Sequence, residues 1–134
     1  MVELTPEMMD TVKSTKYFAL ATASQGGEPN VVPVGAVFLM GPRTIWIGDQ
    51  FMKVTMENLR QNPRAALNVW TPGVKGCLKV KADVAILASG PDYEKMKGMV
   101  SAKRADLHCR SLLVLSITEV YDCQSGKEAG KRLL

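Results

Sequence analysis

The amino-acid sequence predicts a mostly β fold with short helices: six strands forming a mostly antiparallel barrel with the helices at its ends. Three observations lead there. Residues 77–89, CLKVKADVAILAS, alternate strictly between apolar and polar positions, which is the period of a half-buried strand. Five further β-branched, aromatic or small-apolar runs are separated by glycine- and proline-bearing turns. The helical stretches are short and do not intervene between every pair of strands, so a wound parallel sheet is not the expectation.

Taken in order, Thr5 offers an N-cap and Pro6 a first helical position, and Met8, Met9 and Val12 supply an apolar stripe for a short opening helix. KYFALATA, residues 16–23, reads as the first strand, and SQGGEPN as a turn. VVPVGAVFLM, residues 31–40, is the second strand, with Pro33 and Gly35 interrupting its regularity. Proline lacks a ladder donor and glycine admits close approach, so this interruption marks an edge, a bulge, a barrel corner or a stretch facing a ligand. GPR turns the chain into TIWIGD, residues 44–49, and VTMENLRQN then reads as a helix with Met56 and Leu59 on one side, ended by Pro63. RAALNVW is the fourth strand, TPGVKG a turn, and residues 77–89 the fifth strand, with Leu78, Val80, Ala82, Val84 and Ile86 toward the core. GPDYEKMKGMVSAK is a helix with Tyr93, Met96 and Val100 at spacings of three and four, and SLLVLSITEVYDC is the sixth strand. The tail QSGKEAGKRLL is polar and glycine-punctuated until its last two residues.

Bulk properties narrow the function. The 134 residues suit one domain, and 46% hydrophobic with 22% charged residues is ordinary for a globular chain. No apolar run approaches the ~20 residues of a membrane helix. The start MVELTPEMMD is acidic and amphipathic, unlike a secretory signal. Three cysteines without a CxxC pair suit a reducing cytoplasm, and one histidine is too few for an expected metal site. A net charge of +4 is scattered along the chain without a face of interleaved aromatics; this disfavours a nucleic-acid partner and is compatible with a small anionic ligand.

The chemistry concentrates in TIWIGDQFMKVTMENLRQNP, residues 44–63. A helix N-terminus carries unpaired backbone N–H groups and the positive end of the macrodipole. Lys53 adds a mobile cation, Thr55 a hydroxyl, and Asn58 an amide within reach of the first turn, so the three can converge on a phosphate. The same residues also read as plain capping by Thr55 with Lys53 facing water. Trp46 and Trp70 are expected on neighbouring strands, as core, as interface or as a platform for a flat ring.

PNVVPVGAVFLM, RTIWIGDQFMKVTMENLRQNPRAALNVW, VKGCLKVKADVAILASGPDYEKM and LLVLSITEVYDCQSGKEAGKRL together resemble the FMN-binding split-barrel family related to pyridoxamine 5′-phosphate oxidase, in its short prokaryotic form. The resemblance covers nearly the whole chain. It implies a six-stranded split β-barrel that forms a homodimer with two FMN molecules at the subunit interface. The FMN phosphate would lie against Lys53, Val54 and Thr55. The isoalloxazine would run along Val32, Pro33, Val34 and Gly35 and along Ile47, Gly48 and Asp49, with the partner subunit closing the site through the region from Trp70 to Cys77.

Relatives carry Lys-Thr where this chain has Val54 and Thr55, with Lys53 one place earlier. The extra basic residues and C-terminal segment that bind a phosphorylated pyridine have no match, so vitamin B6 oxidation is not expected. No acid–base pair is visible; Asp49 could reach the ribityl chain, His108 is expected to face solvent and Cys77 to pack. The reading is a cytoplasmic, homodimeric FMN flavoprotein, a small reductase or electron carrier. The alternatives are the same barrel holding deazaflavin F420 or another cofactor, a flavin binder without catalysis, and a small basic barrel that binds nucleic acid.

Overall fold

The computed structural model describes residues 2–134. Helix α1 is Pro6–Ser14, capped by Thr5, whose hydroxyl accepts from the Met8 N–H at 3.2 Å. Strands β1 (Phe18–Ala23), β2 (Pro29–Val34), β3 (Val37–Leu39) and β4 (Thr44–Asp49) precede α2 (Val54–Gln61). Strands β5 (Arg64–Val69) and β6 (Leu78–Leu87), helix α3 (Pro91–Lys103) and β7 (Ser111–Asp122) complete the chain. All strand pairs are antiparallel, in the order β2-β1-β5-β6-β7-β4-β3.

Seven strands replace the six expected because residues 31–40 do not form one strand. The run breaks at Gly35 and Ala36: its first half pairs with β1 and its second half with β4. Those two halves are the opposite edges of the sheet. A flat seven-stranded sheet would hold its edges about 29 Å apart at ~4.8 Å per strand. The chain passes from Val34 to Val37 in three residue steps, roughly 11 Å at most. The sheet must therefore curl until its edges meet, and the residues 35 and 36 mark the seam of the split barrel. Pro33 is tolerated because β2 is an edge strand.

The barrel interior is filled by the inward halves of the strands, with Leu20, Ile45, Ile47, Leu67, Val80 and Leu115 fully enclosed. In β6 the predicted alternation holds, with Leu78, Val80, Ala82 and Val84 buried and Ile86 partly so, across a bulge at Lys81/Ala82. Strand β4 is buried on both faces: Ile45 and Ile47 face the interior, whereas Trp46 joins a second cluster under α3 with Phe38, Met96, Val100, Cys109 and Leu112. The tryptophans are accordingly not on neighbouring strands as expected. Strands β6 and β7 lie between β4 and β5, and Trp70, just past β5, is half-exposed. The tail folds back on β7 through Asp122 N–H to Lys131 O (2.8 Å) and Leu133 N–H to Val120 O (2.7 Å), which brings Leu134 against the core.

Helix α2 packs on β1 and β2 through a polar seam. Asn30 Nδ2 donates to Thr55 Oγ1 and Asn58 Nδ2 donates to Thr22 Oγ1, each at 3.1 Å, and the Gln25 N–H donates to Gln61 Oε1. Thr22, Thr55 and Asn58 are buried, so each bond replaces water that cannot return. Replacing Asn58 with alanine is expected to cost about 1–3 kcal/mol, read as a lower denaturant midpoint at unchanged slope. Among the described residues no helix is long and apolar enough to cross a membrane.

Candidate functional site

The site is organised around the segment 50–53 that joins β4 to α2. Its anchor is Asp49, the last residue of β4, whose side chain is enclosed. Oδ1 accepts from the Met52 N–H at 3.0 Å and from Arg110 Nη2 at 3.2 Å, and Oδ2 accepts from Ser111 Oγ at 2.9 Å. Arg110 also donates through Nη2 to Met52 O at 2.7 Å, and its N–H donates to Asp49 O at 2.8 Å. One buried carboxylate and one guanidinium thus fix both ends of the turn, with each buried oxygen satisfied by a donor. Asp49 holds the turn through this network and also lines one of the two recesses beside it.

On one side of the turn a recess of about 220 Å³ is lined by Val32, Pro33, Val34, Gly35, Ala36, Gly48, Gln50, Phe51 and Met52. Its floor is the seam of the barrel. A Cβ added to Gly35 would meet no atom within 4 Å, so the glycine leaves flat backbone open to the recess. Gly48 is closed on its other side: a Cβ there would lie 2.7 Å from Cys109 Sγ and 3.3 Å from Met96 Sδ. Burial first, and the charge of Asp49 second, push the Cys109 thiol up, which keeps it a neutral packing group.

On the other side a recess of about 380 Å³ gathers Lys53, Arg60, Arg110 and Ser111 with Asp49, Glu57 and the apolar Met52, Met56, Ile86 and Ala88. Helix α2 begins at Val54, with Lys53 at the cap position and no side-chain cap. Thr55 is therefore inside the first turn and does not cap the helix. The N–H groups of Val54, Thr55 and Met56 have no carbonyl one turn earlier within the helix to receive them. Thr55 Oγ1 accepts from Asn30, which leaves its own proton to donate.

The structure brings Val32, Pro33, Val34, Gly35 and Gly48 to one recess and Lys53 to the other; Val54 and Thr55 begin α2, line neither recess, and Thr55 is buried. Ile47 lies in the same strand as Gly48, but its side chain is in the barrel core and it lines neither recess. The Asn58 amide turns toward Thr22 on β1, and Trp70 is outside both recesses. Sequence reasoning missed Phe51, which is 84% exposed and the most exposed large apolar side chain described, along with Arg110, Ser111 and Asn30. Phe51 carries a readable signal, a lone aromatic in a polar connection. The other three reach the site only through long-range pairing.

A curled antiparallel sheet whose edges meet at a glycine seam, with a recess along that seam, has the split-barrel architecture. The chain belongs to the pyridoxamine 5′-phosphate oxidase family, whose model matches residues 4–124. It is 33% identical over 133 residues to the uncharacterized protein MJ0282 of Methanocaldococcus jannaschii, across 97% of this chain and 87% of that protein. Among solved structures, HupZ of Group A Streptococcus superposes with a TM-score of 0.80 at 20% identity, covering 95% of this chain and 99% of that one. An FMN-binding protein from Syntrophomonas wolfei subsp. wolfei gives 0.73 at 18% identity, with coverage of 90% and 92%. An F420 reductase gives 0.61 at 21% identity, with coverage of 82% and 92%. At these identities the structural likenesses establish the shared fold.

Proposed function

We propose that the protein is a homodimeric FMN-binding oxidoreductase or electron carrier of the cytoplasm, with the ring system of the cofactor on the seam recess and its phosphate at the start of α2. The observation that carries this reading is the open backbone at Gly35 in a recess walled by the turn at residues 50–52, with the uncapped start of α2 following directly from that turn. The chain supplies backbone N–H groups, a hydroxyl proton and a lysine charge for a dianion, together with an apolar floor for a planar ring. When bound, FMN would supply the redox chemistry, accepting or releasing a hydride or electrons. The protein's share is to hold it, orient it and keep water from one face.

Phe51 lines the recess and is exposed, and Val31 and Val54, next in the chain to the recess-lining Val32 and to Lys53, are exposed as well; exposed apolar side chains of this kind favour a protein partner over water. A second copy of the chain, laid across this rim, would cover the open side of the ring, and Trp70 is exposed and free to take part from the partner. Phe51→Asp is expected to shift the sedimentation equilibrium toward monomer and to lower FMN occupancy with it. A monomer already present in the unaltered protein would remove the argument.

The absorbance spectrum of the purified protein, with mass analysis of what dissociates on denaturation, tests the cofactor directly. Oxidised FMN gives a yellow protein and releases FMN. A preparation that stays colourless when FMN is added and binds deazaflavin instead would favour the second reading, which the likeness to an F420 reductase keeps in view. Thr55→Ala is expected to weaken FMN binding about tenfold or more, the worth of a hydrogen bond to a charged group. Titration of the flavin fluorescence measures it, and unchanged affinity would displace the phosphate from α2.

A further inference from the structure

Cys77 and Cys123 are separated by 45 intervening residues in sequence, yet they meet at the open end of the β6–β7 ladder. Leu78 is registered opposite Asp122, and the next residues outward are the two cysteines. The Cys123 N–H donates to the Cys77 carbonyl at 2.8 Å, so the antiparallel alignment continues to them through one cross-strand hydrogen bond at a hydrogen-bonded position. Cα atoms in such a pair stand about 5.5 Å apart, inside the range that a disulfide spans without backbone movement. Directly opposed residues of an antiparallel pair send their side chains to the same face of the ladder, so the two thiols leave it together. Both residues are free and half-buried, whereas Cys109 is enclosed beneath α3.

We infer that Cys77 and Cys123 form a redox-active dithiol that closes reversibly to a cross-strand disulfide when it meets a low-molecular-weight disulfide. Cys77 lines a recess of about 670 Å³ with Thr11, Lys75, Asp122 and Gln124, which gives a small disulfide access to the pair. One protein thiolate attacks a sulfur of the small disulfide, forming a mixed disulfide and expelling one small thiolate. The second protein thiolate then attacks the protein sulfur of that mixed disulfide and expels the other. One small disulfide is reduced to two thiols, which take up the two protons the cysteines lose, and one protein disulfide is formed. A small thiol in excess runs the sequence backward.

Burial, and then the negative surroundings that Cys123 and Asp122 provide, push the Cys77 thiol up, so it is protonated near neutrality and closure accelerates as pH rises. A disulfide at an accessible strand end is the labile kind, not a structural staple. Closure joins β6, α3 and β7 in one covalent loop and tightens the turn at residues 71–76, which is held to α1 by the Thr11 hydroxyl donating to Lys75 O at 3.1 Å. None of this depends on what the barrel binds.

The test is incubation of the folded, full-length protein with oxidised glutathione, followed by intact mass and peptide mapping without reduction. The expected product has lost two hydrogens, links the peptides holding Cys77 and Cys123, leaves Cys109 free, and is restored by reduced glutathione. Cys77→Ser and Cys123→Ser should each abolish the internal link and retain one glutathione on the remaining thiol. Two glutathiones per chain in the unaltered protein, thiols that both stay free, or a bond between two chains would each overturn the inference.

Discussion

Asp49→Ala is expected to destabilise the protein by about 2–4 kcal/mol and to abolish cofactor binding at concentrations that saturate the unaltered chain. The carboxylate is buried, yet it accepts from three donors that belong to three different parts of the fold: the turn after β4, the segment before β7, and β7 itself. Alanine removes the acceptor while leaving Ser111 Oγ and the Met52 N–H facing each other across an emptied volume. Arg110 is more than half exposed and can turn to water, which keeps the cost below that of an isolated buried cation. Asp49→Asn retains the shape and one carbonyl acceptor, so it should fall between. Arg110→Ala should cost less than Asp49→Ala, because Ser111 and Met52 still satisfy the carboxylate.

Guanidinium unfolding curves rank these variants. If Asp49→Ala matched the unaltered protein in midpoint, the turn at residues 50–53 would be held by something else. The functional loss follows from geometry more than from stability. The turn at residues 50–53 carries one wall of the seam recess and sets the first residue of α2. A shift of about 1 Å in such a wall is enough to undo a positioned site. Binding measured well below the unfolding transition separates the two effects.

What could be read in the chain beforehand follows the range of the forces involved. The alternation of residues 78–84, the Thr5 cap with Pro6, and the Pro91 helix start are local, and they appear in the structure where the pattern places them. The break at Gly35 and Ala36 was legible as an irregularity, but not as a change of partner, because edge pairing with β1 on one side and β4 on the other is decided by the whole sheet. The same limit misplaced Trp70 beside Trp46. For the site, the recess-lining residues 32–35 announced themselves through proline and glycine. The Asp49 network did not, since Arg110 and Ser111 lie 61 and 62 residues away and their chemistry is ordinary until the strands pair. Thr55 and Asn58 were visible as polar residues of a helix start, whereas their partners Asn30 and Thr22 were not.

Gly48 offers a sharper test, because the residue matters through what is absent from it. Strand β4 is pressed between the barrel interior and α3, and a Cβ at Gly48 would lie 2.7 Å from Cys109 Sγ, closer than real side chains approach. Its backbone is ordinary strand, so no conformational strain enters, and the whole effect is steric. Gly48→Ala is expected to cost about 1–3 kcal/mol by overpacking, and Gly48→Val more. Both side chains are enclosed, but the unbranched Met96 thioether at 3.3 Å has three rotatable bonds with which to adjust, whereas the Cys109 sulfur at 2.7 Å is one bond from its Cβ. Cys109→Ala should therefore rescue Gly48→Ala: the double variant would be more stable than the sum of the single losses by about 1 kcal/mol or more. Additivity within about 0.5 kcal/mol would show that the strand, and not the sulfur, yields. In that case β4 would move toward the seam recess that Gly48 also lines, and flavin titration of Gly48→Ala would register the movement as weakened binding that Cys109→Ala leaves uncorrected.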